Sequence, residues 1–108
     1  NIIIQDSSCD NGICTQTIAA IWQSALTYGF GYRCDSSVTN VCDNQFSAAN
    51  TFKQFADDGK NESPQTIMTS NNKNSDTKAK ITYKVNISGT QKTGGYYNSV
   101  TYLAIPNF

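Results

Sequence analysis

The ten residues ALTYGFGYRC, at positions 25–34, alternate small or polar residues with apolar or aromatic ones. A period of two is typical of a β-strand, because successive side chains point to opposite faces of a sheet. Only 38% of the chain is hydrophobic, so a stripe of large side chains can hardly remain in water. The pattern therefore predicts a strand whose mostly buried face carries Leu26, Tyr28, Phe30 and Tyr32. On the opposite face, the missing side chains of Gly29 and Gly31 would let a second backbone or an aromatic ring approach closely.

Short runs with the same character recur along the chain and predict further strands. They lie at residues 1–5, 15–22, 64–70, 80–88 and 96–105. In the run 80–88, one face carries Ile81, Tyr83, Val85 and Ile87, and the opposite face, with Lys80 and Lys84, is predicted to be wet. Residues 47–56 are compatible with a helix, since Ser47 is a candidate N-cap before apolar residues at helical spacing, and also with a strand.

The number of runs and the short polar turns between them predict an all-β protein. About seven strands indicate an antiparallel immunoglobulin-like β-sandwich, with two short disulfide loops. A length of 108 residues suits one domain, so residues 1–108 are expected to form a single β-sandwich domain.

Four cysteines would help a chain with so few apolar residues to keep its fold. Two disulfides would each constrain the unfolded chain by ~2–4 kcal/mol. The sequence favours Cys9 with Cys14 and Cys34 with Cys42, since each pair brackets a turn-rich segment, and the crossed pairings stay open. Neither spacing matches the C-x2-C of a structural zinc site, so no metal is expected. Disulfides indicate an oxidising compartment, and the protein is expected to be secreted, either extracellular or at the cell surface.

The chain contains no histidine, which removes the commonest general base and the usual partner of a nucleophilic serine or cysteine. We therefore expect no enzyme activity and no cofactor. Eight basic and eight acidic residues cancel, so no field of one sign favours nucleic acid as a partner. No apolar run approaches the ~20 residues of a membrane span, and membrane insertion is not expected.

Some aromatic and polar residues are candidates for contact with a ligand or a partner. Trp22, Tyr28 and Tyr32 could stack on a sugar ring or on a partner's side chain, and Arg33 follows Tyr32 on the same predicted strand. The simpler interpretation of Trp22 is a core position between two sheets. Two N-x-S sequences, at Asn61 and Asn86, match the acceptor pattern for N-glycosylation.

The opening segment NIIIQ is the candidate assembly strand. It consists of Asn1, Ile2, Ile3, Ile4 and Gln5. Its β-branched residues suit either an ordinary edge strand or a donor strand that completes the sheet of a neighbouring subunit, as in pilus assembly by strand addition.

The closing stretch TYKVNISGTQKTGGYYNSVTYLAIPNF, residues 82–108, resembles the last strands of bacterial surface β-sandwich modules and of pilin-like secreted proteins. Within residues 28–68, YGFGYRC and FKQFADDGKNESPQTIM are similar to blocks in C-terminal modules of large secreted surface proteins of candidate-phylum bacteria. The resemblance covers residues 9–108. It implies an immunoglobulin-like building block of a cell surface or filament, and an extended conformation for residues 51–56.

Two hypotheses about function follow. The first is a non-catalytic structural subunit whose partners are other copies of itself or other surface-protein domains. The alternative is a carbohydrate-binding or adhesive module that uses an aromatic face formed by Trp22, Tyr28, Phe30 and Tyr32, with glycans as its ligands.

Overall fold

A computed structural model describes residues 2–70, 77–89 and 94–105. The strands are β1 (Ile2–Ile3), β2 (Ala20–Ile21), β3 (Gly29–Asp35), β4 (Thr51–Phe52), β5 (Lys80–Asn86) and β6 (Tyr96–Tyr97). Two short 3-10 helices, Asn44–Ser47 and Asp58–Lys60, lie in the connections, and these described ranges contain no α-helix. The prediction of an all-β protein is confirmed.

The longest strand, β3, is the centre of the structure. It pairs antiparallel with β5 along its whole length, from Gly29 opposite Asn86 to Asp35 opposite Lys80. Its other edge binds two separate segments of the chain. Phe30 exchanges main-chain hydrogen bonds with residues 5 and 7, and Tyr32 does so with Lys53, at distances between 2.9 and 3.0 Å. Two shorter ladders, antiparallel β2–β4 and parallel β1–β6, complete the pairing.

The glycine face of β3 is covered closely, as the sequence predicts. A Cβ atom on Gly31 would lie 2.9 Å from the carbonyl oxygen of Lys53 and 3.2 Å from a ring carbon of Trp22. Trp22 is fully buried, and its ring meets that of Phe52 edge to face with 5.6 Å between centroids. A second backbone and an aromatic ring thus occupy the space that the absent side chain leaves.

The aromatic face of β3 forms a second cluster. The rings of Tyr32 and Phe55 stack with 4.2 Å between centroids, and Phe30 stacks on Phe55 at 5.6 Å. Burial of Phe30 and Tyr32 confirms half of the predicted buried face. The other half is wrong, because Leu26 lies in a turn before β3 begins and is 79% exposed, and Tyr28 is 42% exposed.

Several predicted strands are much shorter in the structure. Residues 15–22 contribute two residues in β2, and residues 96–105 contribute two in β6. Residues 64–70 form no strand, although the Thr69 N–H donates to the Val41 carbonyl at 3.0 Å. Residues 47–56 begin in a 3-10 helix and reach an extended conformation at β4. These segments are compatible with strands in their residue types, but a strand also requires a neighbour at the right distance.

Both favoured disulfides are confirmed. Cys9 bonds to Cys14, and Cys34 bonds to Cys42, with 5.6 Å between the Cα atoms in each pair. Cys9 and Cys14 belong to the cluster around Trp22, whereas Cys34 packs in the cluster around Tyr32. Each bridge therefore joins a surface loop to one side of the core.

Candidate functional site

The structure places two of the four candidate contact residues in the interior. Trp22 is 0% exposed and Tyr32 is 2% exposed, so neither can stack on a ligand or a partner in this fold. The indole N–H of Trp22 donates to the carbonyl oxygen of Thr27 at 3.0 Å, which satisfies the polar atom of the buried ring. Their role as surface contacts is wrong, because the glycine face and the aromatic face of β3 are both covered.

The guanidinium of Arg33 forms its hydrogen bonds within the chain. Its guanidinium binds Asp35 through two nitrogens, at 2.9 and 2.7 Å, and it donates to the carbonyl oxygens of Phe46 at 2.7 Å and Ala48 at 3.2 Å. The same ion pair raises the pKa of Arg33 and lowers the pKa of Asp35. Arg33 therefore anchors the loop before β4 to β3, and its donors are not free for a partner.

Tyr28 remains at the surface. It lines a small cavity of about 110 Å³ together with Gln5, Asp6 and Tyr96. Burial raises the pKa of the Asp6 carboxyl and outweighs the opposing attraction of Lys60, whose Nζ lies 3.3 Å from it. The cavity is far below the ~300 Å³ of ordinary small-molecule pockets.

The candidate assembly strand is part of the chain's own sheet. Asn1 lies outside the described residues, and β1 pairs with Tyr96 and Tyr97. The Ile4 N–H donates to the Tyr97 carbonyl at 3.1 Å, and the Gln5 carbonyl accepts from Phe30 at 2.9 Å. A donor role for residues 1–5 would require these bonds to open, and it stays a prediction.

The outer edge of β5 is the edge that faces away from β3. Phe30 and Tyr32 direct their main-chain N–H groups away from β5. Hydrogen-bonded and non-hydrogen-bonded pairs alternate along an antiparallel ladder, so the neighbouring pairs, such as Gly31 with Lys84, form the main-chain hydrogen bonds between β3 and β5. The N–H and C=O groups of Tyr83 and Val85 consequently point away from β3. Within residues 2–70, 77–89 and 94–105 these groups have no main-chain partner.

The apolar face of β5 is half-buried. Tyr83 is 49% exposed and its ring stacks on Phe30, Val85 is 47% exposed, and Ile87 just beyond the strand is 36% exposed. On the predicted wet face, Lys80 is exposed, but Lys84 donates to the Trp22 carbonyl at 2.7 Å and lies 4.8 Å from the centre of the Trp22 ring. The prediction of a wet face is therefore wrong at Lys84, because the segment around Trp22 covers this part of the sheet.

Residues 98–105 form a segment close to this edge, and the hydroxyl of Tyr102 hydrogen-bonds to the hydroxyl of Tyr83. Among the described residues, this segment makes no main-chain hydrogen bond to a strand. Tyr102 is 53% exposed, Leu103 is 69% exposed and Ile105 is 85% exposed. Burial raises the pKa of Tyr102 to about 12, and the bond with Tyr83 adds to this shift.

The two N-x-S sequences differ in their surroundings. Asn61 is exposed and ends the second 3-10 helix in a left-handed conformation, with φ of 58°. The side-chain amide of Asn86 donates to the carbonyl oxygens of Ala25 and Thr27, both at 2.9 Å. A glycan on Asn86 would disturb these bonds, whereas Asn61 makes no comparable contact with the core.

Lys53 and Asp43 form an ion pair that stabilises the fold. Lys53 is 5% exposed, and its ammonium lies 2.6 Å from Asp43 and 5.3 Å from the centre of the Phe46 ring. The hydrogen bond from the backbone N–H of Gln45 has the largest effect in lowering the pKa of Asp43, and the hydrogen bond from Lys53 lowers it further.

Among the described residues, no group of three acidic, histidine or cysteine side chains is placed to hold a metal, and no helix is long and apolar enough to cross a membrane.

A sequence signal for the β5 edge was present. Lysines on exposed edge strands are a common device against unwanted pairing, and Lys80 and Lys84 lie on this strand. The exposure of Tyr83 and Val85 had no such signal, since alternation marks two faces without saying which of them is covered.

No protein-family model, curated protein or solved structure matches the chain.

Proposed function

We propose that this protein is a non-catalytic structural building block of a bacterial cell surface or extracellular filament, and that it assembles by β-strand addition at the outer edge of β5. The observation that carries the proposal is an edge whose main-chain groups at Tyr83 and Val85 are unpaired while half-exposed apolar side chains flank them. Exposed edges of this kind are templates for pairing with another chain.

The expected gain in free energy is enough for assembly at high local concentration. A strand that pairs with Tyr83 and Val85 would form about four main-chain hydrogen bonds, each worth about 0.5–1.5 kcal/mol net. Full burial of a large apolar side chain contributes about 1.5–3 kcal/mol, so covering the exposed half of Tyr83 or Val85 would contribute roughly 1 kcal/mol.

Other features of the chain are compatible with this function. Two disulfides suit a secreted protein outside the cytoplasm. The resemblance of the closing stretch to surface modules supports an immunoglobulin-like sandwich as the finer description of the all-β fold. Burial of Trp22, Phe30 and Tyr32 removes three of the four aromatic residues on which the carbohydrate-binding alternative depended.

The test compares Val85→Lys with Val38→Lys in the complete chain. Val38 lies in the loop after β3, outside every strand, and is 50% exposed, so the two substitutions remove nearly equal apolar surface and add the same charge. Sedimentation velocity at rising concentration, with electron microscopy of the same samples, measures assembly. We expect the wild type and Val38→Lys to assemble and Val85→Lys to remain monomeric. A wild type that is monomeric throughout, or equal assembly of both variants, would contradict the proposal.

A further inference from the structure

We propose that the strand added at the β5 edge is residues 98–105 of a second copy of this chain, so that copies join head to tail. This inference rests on the proposed function, and it names the partner that the edge binds. It connects two parts of the molecule that form no main-chain ladder there among the described residues. One is the acceptor edge at Tyr83 and Val85, and the other is the segment 98–105.

The segment has the properties of a donor strand. Its sequence, NSVTYLAI, is rich in β-branched and aromatic residues and contains no proline, no glycine and no charge. Val100, Tyr102 and Ala104 alternate with Thr101, Leu103 and Ile105, as a strand with two differing faces requires. The large exposed fractions of Leu103 and Ile105 show that the chain's own core does not use that second face.

The acceptor edge suits a neutral strand better than a second copy of itself. Pairing β5 with another β5 would bring Lys80 and Lys84 of both copies onto one face of the joint sheet. Like charges on neighbouring strands are destabilising. Residues 98–105 add no charge to that face. Within one copy, the hydroxyls of Tyr83 and Tyr102 already form a hydrogen bond, and the proposed pairing would place the same two segments side by side between copies.

The donor and the acceptor lie on different parts of each copy, residues 98–105 and the outer edge of β5. The contact is therefore heterologous, with one strand donated and one accepted per copy. Such a contact generates open chains of copies unless the rotation between neighbouring copies closes a ring.

Two variants of the complete chain test the inference. The donor-blocked variant carries Thr101→Pro and Ala104→Pro, which remove N–H groups on both sides of the segment; its matched control carries Thr101→Ser and Ala104→Ser. Both positions are exposed and outside every ladder, so the fold should be unaffected. The acceptor-blocked variant is Val85→Lys. The fluorescence maximum of the buried Trp22 verifies that each variant is folded.

Sedimentation velocity separates the outcomes. We expect the wild type and the serine control to form a ladder of oligomers, and each blocked variant alone to be monomeric. An equimolar mixture of the two blocked variants should form a dimer and stop there, because it holds one working donor and one working acceptor.

Three results would overturn the inference: assembly of the proline variant like the wild type, a dimer of the proline variant alone, or a mixture that stays monomeric while the wild type assembles. The first two would leave β5 as the assembly edge and hence leave the proposed function in place. A wild type that never assembles would instead refute the proposed function itself.

Discussion

Replacing Gly31 by alanine tests whether β3 lies as close to its neighbours as the structure shows. The added Cβ would lie 2.9 Å from the Lys53 carbonyl oxygen and 3.2 Å from a ring carbon of Trp22. The carbonyl cannot easily move away, because it accepts a 2.9 Å hydrogen bond from Tyr32, and the ring is fully buried. The methyl group must therefore push the backbone of residue 53 or displace the indole.

The expected cost is moderate and measurable. Overpacking a filled core by one methyl group costs about 1–3 kcal/mol, whereas replacing glycine lowers the entropy of the unfolded chain and stabilises by about 0.4–1 kcal/mol. Because the added Cβ meets a backbone oxygen and not the end of a flexible side chain, the overpacking cost should lie in the upper half of its range, about 2–3 kcal/mol, and the net loss in the free energy of unfolding of Gly31→Ala should be about 1–2.6 kcal/mol. Urea unfolding of the oxidised protein, followed by Trp22 fluorescence and independently by far-UV circular dichroism, measures it.

Gly89→Ala is the matched control, since its added Cβ would meet nothing within 4 Å. Its expected effect is between zero and a stabilisation of about 1 kcal/mol. Equal stability of Gly31→Ala and the wild type, with unchanged dependence on urea, would refute the close approach of Lys53 and Trp22 to β3. It would also remove the reason why this strand carries glycine at that position.

Three further predictions concern the contacts that hold the loops. Asp43→Asn leaves the buried Lys53 ammonium without its anion and should destabilise by about 1.5–3 kcal/mol at pH 7. Because folding lowers the pKa of Asp43, its contribution is present above pH ~4 and is lost as the pH falls further, so the difference between variant and wild type should shrink in urea titrations at acid pH. Removing the Cys34–Cys42 bridge with two serines should lower the free energy of unfolding by about 2–4 kcal/mol, and an unchanged urea midpoint would contradict this. Arg33→Lys keeps the charge but loses the fork that binds a carboxylate and two carbonyls, and a loss of about 1–2 kcal/mol is expected; a change below the error of the denaturation curves would show that the fork is dispensable.

The proposed assembly explains why the chain keeps an exposed strand edge, which in a monomer would favour unwanted association. A seven-residue strand at the edge of a sheet, with half-exposed Tyr83 and Val85 beside unpaired main-chain groups, is a site for association with other chains. In a protein that acts as a monomer, such an edge is usually covered or strongly charged. In a subunit that polymerises, the same edge is the functional site.

The sequence by itself determined the features that depend on neighbouring residues. Alternation located β3 and β5, since a period of two is a local property of an extended chain. Turn-rich segments between nearby cysteines predicted both disulfides, and the glycines of β3 predicted the close approach of a backbone and a ring. All three inferences needed only a few consecutive positions.

The tertiary structure alone decided which faces are covered and which edges stay open. Lys84 bonds to the carbonyl of Trp22, which is 62 residues away in sequence, and this contact closes the face that alternation predicted to be wet. Trp22 and Tyr32 are buried and Leu26 is exposed for the same reason, because burial depends on which distant segments pack against a strand. The unpaired edge at Tyr83 and Val85 is equally a product of long-range packing, since its main-chain groups stay unpaired only where none of the described segments pairs with them.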